Sequence, residues 1–301
     1  MVLSQNPQLS QIIKDNKPPT IFKEAAHIVN DHYGRAAISP LRNCFDLTVK
    51  LFNGRLGNYR NCNTEYHDLP HTMDVFLATA RILDGYILVQ GKIGERLAIQ
   101  LLMAALLHDA GYIQETNDTT GTGAKYAFYH VERSMNFVRR HQKELLLNEE
   151  EAEAVARIIK GTEYGMDFQK LSYASAEERQ VGAMLAVADL MGQMADRMYL
   201  EKLLFLYHES IEAGVMGFST EFDILRKTVE FYEMTRKRMN ESLGNMGRYA
   251  RIHFLKRHRI DENLYETAIE RNMDYLHKIL EDATTNFRYK LKRGSLFRKT
   301  L

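Results

Sequence analysis

Tryptophan is absent from this 301-residue chain, and cysteine nearly so, at two. Cys44 and Cys62 are too few for a disulfide framework and lack the spacing of a cysteine metal clip. A reducing cytoplasm is therefore the expected setting. Five prolines and eighteen glycines leave few breaks, so long helices can run uninterrupted. No long apolar run exists either. The longest, around "LAIQLLMAALL" (97–107), falls short of the roughly 20 residues that span a bilayer. Neither sign of charge prevails: 40 Lys and Arg face 39 Asp and Glu, for a net +1. No whole-chain field draws the protein to nucleic acid or to a membrane. The first residues lack both a basic n-region and an apolar h-region, so no signal peptide is expected. What is present is ordinary for a soluble globular protein: 45% hydrophobic and 26% charged residues, enough for a large core.

Hydrophobic periodicity of the helical kind recurs along the chain, with no sustained strand alternation. It predicts helices over 20–34, 39–55, 70–91, 94–111, 149–161, 177–214 (with a bend), 221–244 and 263–292. The expected fold is all-α, a single domain over 1–301. A core over 40–240 would carry an N-terminal helix and a C-terminal helical extension at 245–301. No repeat is visible.

Histidine is scarce, at 11 residues, yet it gathers at a few places. "LLMAALLHDAGY" (101–112) is apolar enough to be buried but ends in His108 and Asp109. A buried carboxylate beside an imidazole is costly unless paired, protonated or metal-bound. The plainer reading is a helix leaving the core, capped at Gly111. Asp189 interrupts a second apolar run, "GAMLAVADLMGQMAD" (182–196). Gln193, Asp196 and Arg197 follow at helical spacing and share its stripe. The stripe lines either a cavity or a local ion network such as Asp189 with Arg197. In "EYHDLPHTMDV" (65–75), Pro70 belongs in a first helical turn, which makes Asp68 the N-cap. His67 then precedes the helix and His71 lies inside it, so the two serve different roles. Asp74, one turn after His71, is placed to orient an imidazole. His71, His108, Asp109 and Asp189 thus form a candidate site for one or two divalent ions. Mixed imidazole and carboxylate donors suit Mn, Fe, Zn, Mg, Ni or Co, and an open, water-bearing site implies hydrolysis or group transfer.

The order of these residues resembles the HD superfamily of metal-dependent phosphohydrolases, whose ligands run H…HD…D. "YHDLPHTMDV" is also similar to the Y-H-N-x-x-H-x-x-D-V segment of cyclic-nucleotide phosphodiesterase catalytic domains, and "IIKGTEY" (158–164) weakly resembles a later segment of theirs. The resemblance spans roughly 40–240 and implies an HD-type, phosphodiesterase-like helical bundle. It implies that His71, His108, Asp109 and Asp189 hold a first ion and that Asp109 bridges to a second. It implies His67 as the general acid. The chain departs from the phosphodiesterases at Tyr112, where they carry histidine, and at Asp68, where they carry asparagine. "FYHVERS" (128–134) is instead similar to bacterial HD domains in which such a histidine binds the second ion. His130 is that candidate, with a capping role as the alternative, and Glu163 is a candidate water-mediated ligand.

Weaker signals remain. The glycine-rich segment 114–128 is an ordinary loop or a lid that brings Lys125 to a phosphate; "GTGAK" lacks the ending of a phosphate-binding P-loop. Gln193 and Arg197 are candidate substrate contacts. The tail from Asn286 carries six basic residues and no acid, the mark of a solvated tail. The expected function is metal-dependent hydrolysis of a small phosphorylated or nucleotide substrate, with no nucleic-acid or membrane partner; an oligomer is compatible with this. The alternatives are a di-iron oxygenase on the same fold and a nucleotide-binding regulator without turnover.

Overall fold

The helical periodicity becomes eleven α-helices in a computed structural model that describes residues 7–13, 15–282 and 284–291. In chain order they are α1 (Pro18–Tyr33), α2 (Ile38–Phe52), α3 (Leu69–Gln90), α4 (Glu95–Leu107), α5 (His130–Arg140), α6 (Glu149–Lys160), α7 (Ala176–Ala195), α8 (Tyr199–Glu212), α9 (Glu221–Lys237), α10 (Arg248–His258) and α11 (Leu264–Glu281). Among the described residues there is no strand, only the isolated bridges Asn53 with Asn61 and Tyr59 with Glu115. The fold is all-α. No helix among the described residues is long and apolar enough to cross a membrane.

The starts of α3, α6 and α9 follow the capping rules. Asp68 accepts from the His71 amide and Pro70 sits in the first turn of α3. Asn148 with Glu151, and Thr220 with Asp223, form capping boxes on α6 and α9. Helices α3, α4 and α7 are buried almost all round, the pattern of central helices. The other helices wrap them. Helix α10 lies so close to α3 that a Cβ on Gly85 would stand 1.8 Å from the Tyr249 carbonyl oxygen, so only glycine fits there. On the next residue back, buried Asp84 accepts from His32 of α1 and from His253 and Arg257 of α10.

Several boundaries differ from expectation. The helix predicted to reach Gly111 ends at Leu107. The predicted bend within 177–214 is a full break, because Asp196 takes an extended ψ of 131°. The last helix stops at Glu281 rather than 292. Helix α10 lies where periodicity predicts none. The segment expected as an extension supplies α10 and α11, which pack on α3 and α7. Of the basic tail, residues 292–301 lie outside the described residues; Arg288 pairs with Glu221 and Lys290 with Asp282.

Candidate metal centre

Three local structures deliver the cluster. The Asp68 cap fixes the first turn of α3 and, with it, buried His71. At the end of α4 the backbone leaves the helix at Asp109, and a 3-10 turn follows over Ala110–Tyr112. Helix α5 secures that turn. The Ser134 hydroxyl donates to the His108 carbonyl (2.5 Å) and accepts from the Gly111 amide (2.8 Å). Arg133 donates to the carbonyls of Gly111 and Ile113. Gly111 is required for this approach, since a Cβ there would sit 2.0 Å from the His130 carbonyl oxygen. Helix α7 carries Asp189 to the same point.

The four side chains expected to meet do meet. His71 Nε2 lies 3.4 Å from both Asp109 Oδ2 and Asp189 Oδ1. His108 Nε2 lies 3.4 Å from Asp109 Oδ2 and 3.5 Å from Asp189 Oδ1. Good N–H···O bonds are shorter, about 2.7–3.2 Å. Donor atoms set tetrahedrally about 2.1 Å from a zinc-type ion stand roughly 3.4 Å apart. The spacing therefore fits ligands around an ion better than hydrogen-bonded pairs. Two further observations agree. His108 Nε2 and Asp109 Oδ2 are buried without a hydrogen-bond partner, which is costly unless a cation satisfies them. The other ring nitrogen of His108 donates to the Ala105 carbonyl at 2.9 Å. That bond makes Nε2 the nitrogen that faces the cluster, where a cation would displace its proton.

Electrostatics bind the group together. Burial opposes charge on His108, but Asp109 and Asp189 overcome it and hold its pKa up at about 9. Burial also opposes ionisation of Asp109, yet His108, His67, His71 and His130 bring its pKa below the ordinary value. Asp189 is lowered further, against burial, by His108 and His71. Both carboxylates are thus ionised in a buried site that favours a cation.

Beside the cluster stands His67, before the helix as expected. Its Nδ1 is 2.8 Å from Glu209 Oε2. The other Glu209 oxygen accepts from the amides of Glu65 and Tyr66 at 2.8 and 2.7 Å. Burial lowers the His67 pKa, but Glu209 more than offsets this, and the net shift is upward. Tyr112 packs on two imidazoles, 4.3 Å from His67 and 4.5 Å from His130, which themselves stand 6.2 Å apart and tilted by 33°. His130 donates from Nδ1 to the Ala127 carbonyl (2.7 Å) and turns Nε2 toward Asp109 Oδ1 at 3.9 Å. Asp109 therefore faces His71 and His108 with one oxygen and His130 with the other. The cluster reaches solvent past Asp189, His67 and His130, whose side chains are 22%, 17% and 22% exposed.

Five expected site residues stand apart from the donor set. Asp74 makes no hydrogen bond to His71 among the described residues. It faces the side of Asp196 and Lys202, where burial, then Asp196, raises its pKa to about 7. Glu163 pairs with Lys160 at 2.5 Å and stands outside the donor set. Lys125 is not free for a phosphate, because it is spent within its own loop on Asp118 and Thr120. That loop is tied down further where Thr122 bonds Glu212 of α8, so it is no loose lid. Gln193 lines a small cavity with His71 and Asp74 but donates to the Tyr66 hydroxyl. Arg197 leaves the Asp189 stripe because α7 ends at Ala195, and it forms no pair with Asp189; Asp196 binds Lys202 instead, at 2.6 Å. Glu209 was not foreseen. It lies 142 residues from His67, and one glutamate in a mixed helix carries no local signal.

Among known families, the model described as Npun_R2479-like matches residues 114–248, less than half of the chain. The matched stretch contains His130, Asp189 and Glu209 and leaves out His71, His108 and Asp109. No curated protein matches the chain.

Proposed function

We propose that the protein is a metal-dependent phosphohydrolase acting on a small phosphorylated or nucleotide substrate. The observation that carries this reading is the donor set of His71, His108, Asp109 and Asp189 at 3.4–3.5 Å spacing, with His67 and Glu209 beside it. A divalent ion bound there would supply an acidified water and neutralise phosphoryl oxygens. The chain's own residues do the rest. Glu209 anchors Nδ1 of His67 and favours its protonated form, which leaves Nε2 to give a proton to a departing alcohol oxygen. Tyr112 packs against the rings of both His67 and His130 and helps to hold them in place. His130 faces the free oxygen of Asp109, which suits a second ion.

Metal analysis of the purified protein, paired with a phosphoester panel including cyclic nucleotides and nucleoside monophosphates, tests the proposal. His71→Ala and Asp109→Ala should lose hydrolysis together with the metal held at this centre. Full metal content and full turnover in either variant would sink it. The approach of His130 to Asp109 also favours a second reading, an oxygen-activating di-iron centre. Iron-rich protein with oxygen-dependent turnover and no phosphoesterase activity would select that reading instead.

A further inference from the structure

We propose that Glu24, His253 and His258 form a second metal site, for a divalent ion of the zinc type, at the seam between α1 and α10. One donor atom from each of the three lies within 4.8 Å of the other two. The strongest sign is His253. Its side chain is 1% exposed, and its Nδ1 donates to Asp84 Oδ2 at 2.7 Å. That bond fixes the tautomer, so Nε2 carries a lone pair, yet Nε2 is buried with no partner. His258 Nε2 is likewise buried and unpartnered. A carboxylate behind a histidine whose far nitrogen is vacant is the arrangement that orients imidazoles toward metals.

The convergence is built rather than incidental to one helix face. Residues five apart on a regular helix point about 140° apart. Here α10 ends at His258, and Arg259 enters the left-handed region at φ 59°. Ile260 then donates back to the Phe254 carbonyl, which closes the turn. The two rings end with centroids 5.5 Å apart. The Arg81 charge acts on both imidazoles. An ion would meet the same Arg81 charge; the carboxylates of Glu24 and Asp84 offset it. Two imidazoles and one carboxylate are a complete protein donor set for zinc, with water in the fourth position. Such an ion would join helices from opposite ends of the chain, the closure that constrains an unfolded chain most. It is separate from the His71 centre, being thirteen residues along α3 from it at Asp84, or about 20 Å.

The test uses zinc alone, counted as equivalents retained per full-length chain after desalting. His258 lies at a helix end, so His258→Ala should fold, and it should retain one equivalent fewer than the unaltered chain. A His71→Ala/Asp189→Ala variant, which disables the other centre, should still hold one equivalent, and adding His258→Ala should remove it. Unchanged zinc in His258→Ala overturns the proposal. So does a natively helical His71→Ala/Asp189→Ala variant that holds none. Neither result depends on whether the His71 centre hydrolyses anything.

Discussion

Replacing Asp84 by asparagine should lower thermal stability by several degrees. Each carboxylate oxygen accepts two bonds: Oδ1 from His32 Nε2 and Arg257 Nη2, both at 2.6 Å, and Oδ2 from His253 Nδ1 at 2.7 Å and Arg257 Nε at 3.0 Å. Whichever way the amide turns, its nitrogen faces two donors. Two bonds to a charged acceptor are lost, at about 1.5–3 kcal/mol each. Arg257 can fall back on Asp31, already 2.5 Å away, so the net cost is roughly 4 kcal/mol, inside the range for breaking a buried charge pair. An unfolding entropy of about 2.1 cal/mol/K per residue gives roughly 0.6 kcal/mol/K for a chain of this length, hence a fall in Tm of about 6 °C. Circular dichroism melting in excess chelator reads the network alone, without any bound ion. A fall under about 2 °C, or a rise, would refute the reasoning.

Three further outcomes are expected. Glu209→Gln should cut phosphoester turnover about 10- to 100-fold, as loss of an orienting carboxylate does, while metal content stays at the unaltered level; equal loss of metal would show a structural role instead. Asp74 has its pKa raised from 3.8 to about 7, so its ionisation weighs against the folded state. That penalty grows as pH rises from about 4 to 7 and is constant above. Asp74→Asn should therefore gain stability relative to the unaltered chain over that window, by about 2 kcal/mol after halving for its contact with solvent, and urea melts at pH 4 and pH 8 would measure it. Gly111→Ala should push α5 off the His108–Asp109 turn and lower retained metal by more than half, with little change at the α10 end; metal content at the unaltered level would contradict the packing described.

The central site was legible because its signals are local. His108 and Asp109 end an apolar helix, Asp189 interrupts another, and Pro70 forces the helix start that separates His67 from His71. Asp84 carries the same mark, an acid inside the apolar stretch 75–89. The argument applied to Asp189 could have found it. Its partners could not be found that way, because His32, His253 and Arg257 come from helices at opposite ends of the chain. Helix α10 was missed for a related reason. It buries His253 beside Tyr249 and Phe254 and spreads basic residues round the rest, so no apolar stripe appears. Arg197 was misplaced because helical spacing was carried past Ala195, where nothing in the sequence announces the extended turn at Asp196. The sequence left Lys125 open between an ordinary loop and a lid, because a loop's internal bonding depends on its closed shape, not on its composition.

The close seating of α10 on α3 at Gly85 has a practical corollary for anyone dissecting the protein. Everything assigned to the metal centre ends by Glu209, which invites trimming the chain after α9. Such a fragment would lose Tyr249 from the smooth surface at Gly85, leaving a bare apolar furrow open to water. It would also strand Asp84 with His32 alone. The excised piece should be sticky and short-lived even though every residue near His71 is retained, so the candidate centre and the packing that covers the apolar surface reside at different ends of one helix.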